Sequence, residues 1–263
     1  MTTRPVRIGV QLQPQHSEWG PYRESVARAD ELGVDVIFNW DHFYPLYGEP
    51  EGKHFEAWTT LAAWAEVTSH AELGVLVTCN SYRNPELLAD MARTVDHISG
   101  GRLVFGIGSG WFEKDYDEYG YEFGTAGGRL DALAEALPRI ESRWSKLNPA
   151  PTRDIPVLIG GGGEKKTLRL VAQHADIWHS FADPDTLRHK LGVLAGHCEA
   201  IGRDLDEIEI SVGVENGSLE AAQACYDLGA RLFTYGVGGP DFDLAPLEAL
   251  LAWRDEVNAG ANG

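Results

Sequence analysis

The strongest constraint on how this chain can fold is a strict alternation of strand-like and helix-like segments along its 263 residues. A first run of β-branched and apolar residues at positions 7–13 is followed by apolar residues at helical spacing over positions 22–32, and Gly33 then ends that helix. The same pair of segments recurs until eight units are complete. Such alternation predicts parallel strands joined by right-handed helical crossovers.

Eight units favour a closed (β/α)8 TIM barrel over an open doubly wound sheet, and the first strand is not followed by a GxGxxG motif. The length suits one such barrel, so we predict a single domain over residues 1–263. The predicted strands are 7–13, 34–39, 71–78, 103–107, 157–159, 175–178, 208–214 and 231–235. The predicted helices are 22–32, 57–67, 85–98, 129–144, 165–174, 186–201, 219–228 and 245–257.

The charge balance limits the partners of the chain. Its 22 Lys and Arg residues against 40 Asp and Glu residues give a formal net charge of −18, which repels nucleic acids and anionic membranes. No apolar stretch is long enough to span a membrane, and no signal segment is evident. The three cysteines form no CxxC pair and suit a reducing setting. We therefore expect a cytoplasmic protein that acts on a small molecule.

Four consecutive glycines at positions 160–163 follow the fifth predicted strand, at the barrel end where active sites form. Glycine permits positive φ and close approach of backbone amides, and the N-terminus of a following helix favours an anion. Lys165 and Lys166 would add positive charge. The run predicts an anion site, the alternative being a turn that binds nothing. Gly106, Gly108 and Gly110 offer a second close-approach surface.

Asp41 and His42 end the second predicted strand and place an imidazole beside a carboxylate in the expected cleft. Histidine donates or accepts a proton near neutral pH, so His42 is a candidate acid or base; a packed histidine is the alternative. We expect no metal site, because adjacent strand residues point apart and no HxH pair exists. Trp40, Tyr82 and Trp111 lie on strand-end loops, where aromatic rings can form the walls of a pocket for a flat ligand.

Several segments together resemble the luciferase-like monooxygenase superfamily, and within it the branch that depends on the deazaflavin coenzyme F420. The resemblance covers nearly the whole chain, in the short-insert form of the bacterial-luciferase-like barrel. Four stretches carry it: 40–43 (WDHF), 76–85 (LVTCNSYRNP), 99–111 (SGGRLVFGIGSGW) and 155–163 (IPVLIGGGG).

The resemblance implies a set of cofactor contacts. The deazaflavin ring would lie in the barrel mouth beside Asp41 and His42. A bulge in the third strand with a non-prolyl cis peptide, placed at Val75–Leu76, would press on the ring, and Thr78 would contact its edge. The ribityl-phosphate portion would lie among Gly108, Ser109, Gly110, Gly161, Gly162 and Gly163.

The resemblance also implies an enzyme that moves a hydride between C5 of coenzyme F420 and an organic substrate. His42 would be the general acid or base and Asp41 would fix its orientation. Two alternatives remain open: an FMN-dependent monooxygenase and a flavin-binding protein without turnover. Trp111 stands where sugar-phosphate dehydrogenases of this family carry an acidic residue, which argues against that substrate. Family members commonly form homodimers, and the sequence leaves the oligomeric state open.

Overall fold

A computed structural model describes residues 4–181, 183–214 and 217–261. Its parallel strands run in the order β3-β2-β1-β9-β8-β7-β6-β5-β4, and β5 also pairs with β3. Because β3 and β4 are successive halves of one barrel strand, the sheet closes with eight strand positions. This confirms the predicted (β/α)8 barrel. The strands are β1 (Arg7–Leu12), β2 (Val36–Asn39), β3 (Glu72–Val75), β4 (Thr78–Cys79), β5 (Leu103–Gly108), β6 (Val157–Gly160), β7 (Ile177–Ser180), β8 (Glu209–Gly213) and β9 (Leu232–Val237).

The helices surround this barrel, and local capping explains several of their ends. α3 begins at Pro85 after Asn84, whose side chain accepts hydrogen bonds from the next free backbone amides. α1 ends at Gly33, which has φ +83°. The helices are α1 (Trp19–Leu32), α2 (Ala57–Ala65), α3 (Pro85–Ile98), α4 (Glu113–Tyr119), α5 (Ala126–Trp144), α6 (Thr167–His174), α7 (Pro184–Ile201), α8 (Leu219–Asp227) and α9 (Ala245–Ala261). None of the described helices is long and apolar enough to cross a membrane.

The bulge that the resemblance implies in the third strand is present between β3 and β4, so the strand predicted over 71–78 is two shorter strands. Its position is corrected by one residue, because the non-prolyl cis peptide lies at Leu76–Val77 rather than at Val75–Leu76. The interruption brings strand three close to β5, where a side chain at Gly106 would overlap the carbonyl oxygen of Val75. Helix α4 was not predicted, because its sequence EKDYDEY carries no aliphatic periodicity.

The apolar core consists of two clusters, one on the outer face of the barrel strands and one on their inner face. The larger cluster packs the outer strand faces against the helices, and it includes Val75 and Phe105. The smaller cluster fills the barrel interior from β2, β5, β6, β7 and β9, and its top is closed by Leu76, with Val77 packed against it. Its members are Val36, Phe38, Leu76, Val104, Leu158, Ile177 and Leu232. The interior is therefore solid below the Leu76–Val77 bulge, and space for a ligand begins above it.

Candidate active site

A cavity of about 610 Å³ opens at the carboxyl ends of the strands. This volume lies within the range typical of small-molecule and cofactor pockets. No lysine or arginine is found among its described lining residues. The lining residues are Gln11, Trp40, Asp41, His42, Leu46, Leu76, Val77, Thr78, Cys79, Gly108, Ser109, Gly110, Trp111, Gly160, Gly161, His179 and Phe181.

His42 lies on the cavity wall and is fixed by a buried carboxylate from α4. Its Nδ1 is 2.8 Å from Oδ2 of Asp115, which is fully buried. The same oxygen accepts a hydrogen bond from the hydroxyl of Tyr82 at 2.8 Å. Oδ1 of Asp115 accepts from the backbone amides of Phe43 and Tyr44. Because Nδ1 is held by the carboxylate, Nε2 is the ring nitrogen left to face the cavity.

Asp41 does not orient His42, contrary to the sequence interpretation. Its carboxylate forms a bidentate pair with the Arg83 guanidinium, at 2.6 and 3.0 Å, and accepts from the amide of Cys79. Arg83 also bonds Glu56 at 2.5 Å. Burial raises the pKa of the Asp41 carboxyl, and Arg83 opposes that rise. Asp41 thus lines the cavity as part of an ion-pair network that ties strand two to strand three.

The cavity floor is the bulge between β3 and β4, with polar side chains supporting it. Nε2 of Gln11 donates to the carbonyl of Leu76 at 2.7 Å. Trp58 donates to the hydroxyl of Thr78 at 3.2 Å from outside the barrel. Leu76, Val77 and Thr78 face the cavity, whereas Val75 packs in the outer core and does not.

The glycines at the end of β5 serve mainly to accommodate the protein's own chain. A Cβ at Gly108 would lie 2.8 Å from Cγ2 of Val77, and one at Gly110 would overlap the hydroxyl of Tyr116. Gly110 also has φ +82°. Gly108, Ser109 and Gly110 nevertheless line the cavity, and their contact with a cofactor stays a prediction.

The glycine run that begins at the end of β6 differs from its prediction in two respects. A turn separates it from α6, which begins at Thr167 with no side-chain cap. Positive φ occurs at Gly161 (φ +117°), and within the run Gly161 reaches the cavity together with Gly160. The described lining residues do not include Gly162 or Gly163.

The expected positive charge beside the run is also largely neutralised. The Lys166 ammonium bonds Asp131 at 2.5 Å and the carbonyl of Gly127, while Lys165 is exposed to solvent. Binding of an anion here would therefore depend on backbone amides more than on lysine charge.

A second histidine, His179, lies on the far side of the cavity at the end of β7. It is 1% exposed, and its Nδ1 lies 2.8 Å from Oγ of Ser211. Burial lowers the pKa of His179 to about 3, so its imidazole is neutral at physiological pH. The sequence analysis did not identify His179 as a candidate site residue.

The remaining ionisable groups at the cavity do not suggest a nucleophile or a metal centre. Burial raises the pKa of the Cys79 thiol to about 11, which keeps it protonated and unreactive. Within the described ranges, no group of three His, Cys, Asp or Glu side chains is placed to hold a metal ion. Trp111, 63% exposed, contacts His42 edge-on at 5.7 Å between ring centroids and forms the rim above it.

Sequence reasoning thus located His42 and several lining residues but missed the groups behind them. Tyr82 and Arg83 lie in the segment 76–85, which the sequence analysis had identified. Asp115 gave no signal, because it lies in a helix that was not predicted. Gln11 lies near the end of β1, and the sequence analysis did not consider the loop that follows this strand.

Comparison with known proteins places the chain in a family. The model of the luciferase-like monooxygenase family matches residues 3–235. An F420-dependent glucose-6-phosphate dehydrogenase from Amycolatopsis mediterranei is 29% identical over 160 residues, which are 53% of this chain and 47% of the relative. The chain spans about half the length of such curated relatives.

Solved structures share the fold at low sequence identity. An F420-dependent secondary alcohol dehydrogenase in complex with an F420-acetone adduct has a TM-score of 0.82 and 17% identity, covering 92% of this chain and 96% of the other. A monooxygenase from Streptomyces bottropensis has a TM-score of 0.71 and 16% identity, covering 94% and 98%. Taken with the barrel, the interrupted third strand and the match over residues 3–235, these findings establish that the chain belongs to the luciferase-like monooxygenase family.

Proposed function

We propose that the protein is a coenzyme F420-dependent oxidoreductase that transfers a hydride between C5 of the deazaflavin and an organic substrate. The observation that carries the proposal is the His42 imidazole, held on buried Asp115 at the wall of a cavity that suits a flat ring. The F420-dependent names of a curated relative and of the solved alcohol dehydrogenase support the choice of cofactor.

The cavity fits a tricyclic ring in size and chemistry. Leu76 and Val77 give an apolar floor, Trp111 an aromatic wall, and the backbone at Gly108 and Gly161 allows close approach. When bound there, the deazaflavin supplies a carbon that accepts or gives up the hydride. The solid apolar interior below the floor excludes water from that side of the ring.

His42 would handle the proton that accompanies the hydride. For a substrate that loses a hydride from carbon and a proton from the attached oxygen, Nε2 of His42 accepts the proton; in the reverse direction it returns it. The Asp115 carboxylate stabilises the imidazolium formed in that step and holds the ring in one orientation. Tyr82 in turn fixes Asp115.

A side-by-side binding titration of the purified apoprotein tests the choice of cofactor. We expect coenzyme F420 to bind at least about ten times more tightly than FMN, a preference of about 1.4 kcal/mol. Equal or tighter binding of FMN would instead support an FMN-dependent monooxygenase, which the fold of the Streptomyces bottropensis enzyme also accommodates. Binding without hydride transfer to any tested alcohol or carbonyl would favour a binding protein, and binding of neither cofactor would contradict both enzyme assignments.

A further inference from the structure

His179 occupies a layer of the barrel that the proposed mechanism does not use. Alternation along β7 places Ile177 in the apolar interior and His179 one layer higher, where it lines the cavity. Its neighbours across the sheet are Gly160 on β6 and Ser211 on β8. The His179 imidazole therefore lies directly above the smaller apolar cluster of the barrel interior, at the base of the ligand space.

One nitrogen of this imidazole is satisfied and the other is not. Nδ1 lies 2.8 Å from the hydroxyl of Ser211, whereas the buried Nε2 has no hydrogen-bond partner in residues 4–181, 183–214 and 217–261. Buried polar atoms in native proteins are nearly always paired, and leaving one unpaired costs stability. Phe181 packs edge-on against the ring at 4.7 Å between centroids. His179 therefore lines the ligand space, and one of its ring nitrogens, Nε2, is buried and left unsatisfied by the described chain.

We propose that His179 is a cofactor-binding residue whose Nε2–H donates a hydrogen bond to an acceptor oxygen on the edge of the deazaflavin ring. The proposal rests on the function proposed above. The direction follows from chemistry: the ring edge carries carbonyl oxygens that accept, and the Ser211 hydroxyl can donate to Nδ1, which leaves the proton on Nε2. A neutral imidazole does this without bringing a net charge into the apolar base of the cavity.

A pair of substitutions separates this hydrogen bond from simple packing. In His179→Gln the amide nitrogen falls near the position of Nε2 and keeps a donor there. In His179→Asn the amide reaches only the position of Nδ1 and can bond Ser211 but not the ligand. We expect the asparagine variant to bind coenzyme F420 about tenfold to a hundredfold more weakly, and the glutamine variant to stay within about threefold of the unsubstituted protein.

Thr234→Val provides a matched control. The hydroxyl of Thr234 is also buried and unpartnered in the described chain, yet Thr234 does not line the cavity. We expect its removal to leave affinity unchanged. Equal weakening in the glutamine and asparagine variants, or full affinity in the asparagine variant, would overturn the proposal.

A measurement on the unsubstituted protein keeps the test independent of how the variants fold. Nitrogen NMR of ¹⁵N-histidine-labelled apoprotein should show His179 with its proton on Nε2, and the Nε2 resonance should shift when coenzyme F420 is added. A proton on Nδ1, or an unmoved resonance at saturating cofactor, would refute the hydrogen bond. If the unsubstituted protein does not bind coenzyme F420 at all, the proposed function fails before His179 is tested.

Discussion

The two sides of the cavity each present a histidine, and the two are built differently. His42 contacts a buried carboxylate, Asp115, which also holds Tyr82. His179 contacts a neutral hydroxyl, that of Ser211, and sits directly above the apolar interior. A carboxylate stabilises the charged imidazole that proton transfer creates, whereas a hydroxyl in an apolar setting does not. The Asp115 carboxylate therefore suits His42 to proton transfer, whereas the Ser211 hydroxyl suits His179 to ligand recognition.

Among the changes that test this comparison, removal of the His42 imidazole should have the largest effect. A positioned acid or base contributes about 10²- to 10⁴-fold to rate, so His42→Ala should lower single-turnover hydride transfer by that factor. Cofactor affinity should stay within about threefold, because His42 supplies only one wall of the cavity. Single-turnover kinetics, a binding titration and thermal melting on the same sample separate these effects. A variant that melts early yet turns over normally would make His42 a packing residue.

Substitution of the two carboxylates near His42 should have different effects, mainly on the rate for Asp115 and mainly on stability for Asp41. Asp115→Asn removes the charge beside the imidazole and should lower the rate by about tenfold to a hundredfold with a smaller loss of stability. Asp41→Asn leaves the buried Arg83 without its bidentate partner, although Glu56 remains, and should lower the free energy of unfolding by roughly 3 kcal/mol. Urea unfolding and single-turnover rates would be compared for both variants. A larger rate loss in the Asp41 variant, per folded molecule, would restore Asp41 as the partner of His42.

The fold was predictable because its signals are local and repeated. Residues 34–39 read as a buried strand from their apolar run, and the Asn84-Pro85 pair marks the start of α3. The interruption of strand three was not predictable from these local signals and was expected only from the family resemblance. It depends on contact of Val75 and Val77 with the glycines of β5, which are distant in sequence.

The sequence predicted residues that line the cavity, but not the buried residues that hold them in place. His42 lies at a strand end, where barrel enzymes carry their chemistry, so position alone identified it. The partner of His42 comes from α4, 73 residues further along the chain, and no local pattern links the two. Adjacency in sequence suggested Asp41 instead. Both residues lie beyond the end of β2, however, and the Asp41 carboxylate reaches Arg83.

The burial of His179 should also appear in the pH dependence of stability, where we expect the smallest effect. In the folded protein the pKa of His179 is lowered to about 3, whereas in the unfolded chain the imidazole takes up a proton near its ordinary pKa of about 6.5. The unfolded state therefore binds more protons between these values, so the free energy of unfolding falls as pH falls. From pH 7 to pH 5 this linkage amounts to about 2 kcal/mol.

His179→Gln carries no titrating group at this position and should lose that part of the slope. Urea unfolding of the apoprotein at pH 7 and pH 5 would therefore show a smaller pH effect in the variant than in the unsubstituted protein. Burial also lowers the pKa of His54, to about 4, so a residual slope of the same sign should remain in both. Thr234→Val, which removes a buried hydroxyl without a titrating group, should keep the full slope. An unchanged slope in His179→Gln would mean that the His179 imidazole takes up its proton as readily in the folded protein as in the unfolded chain.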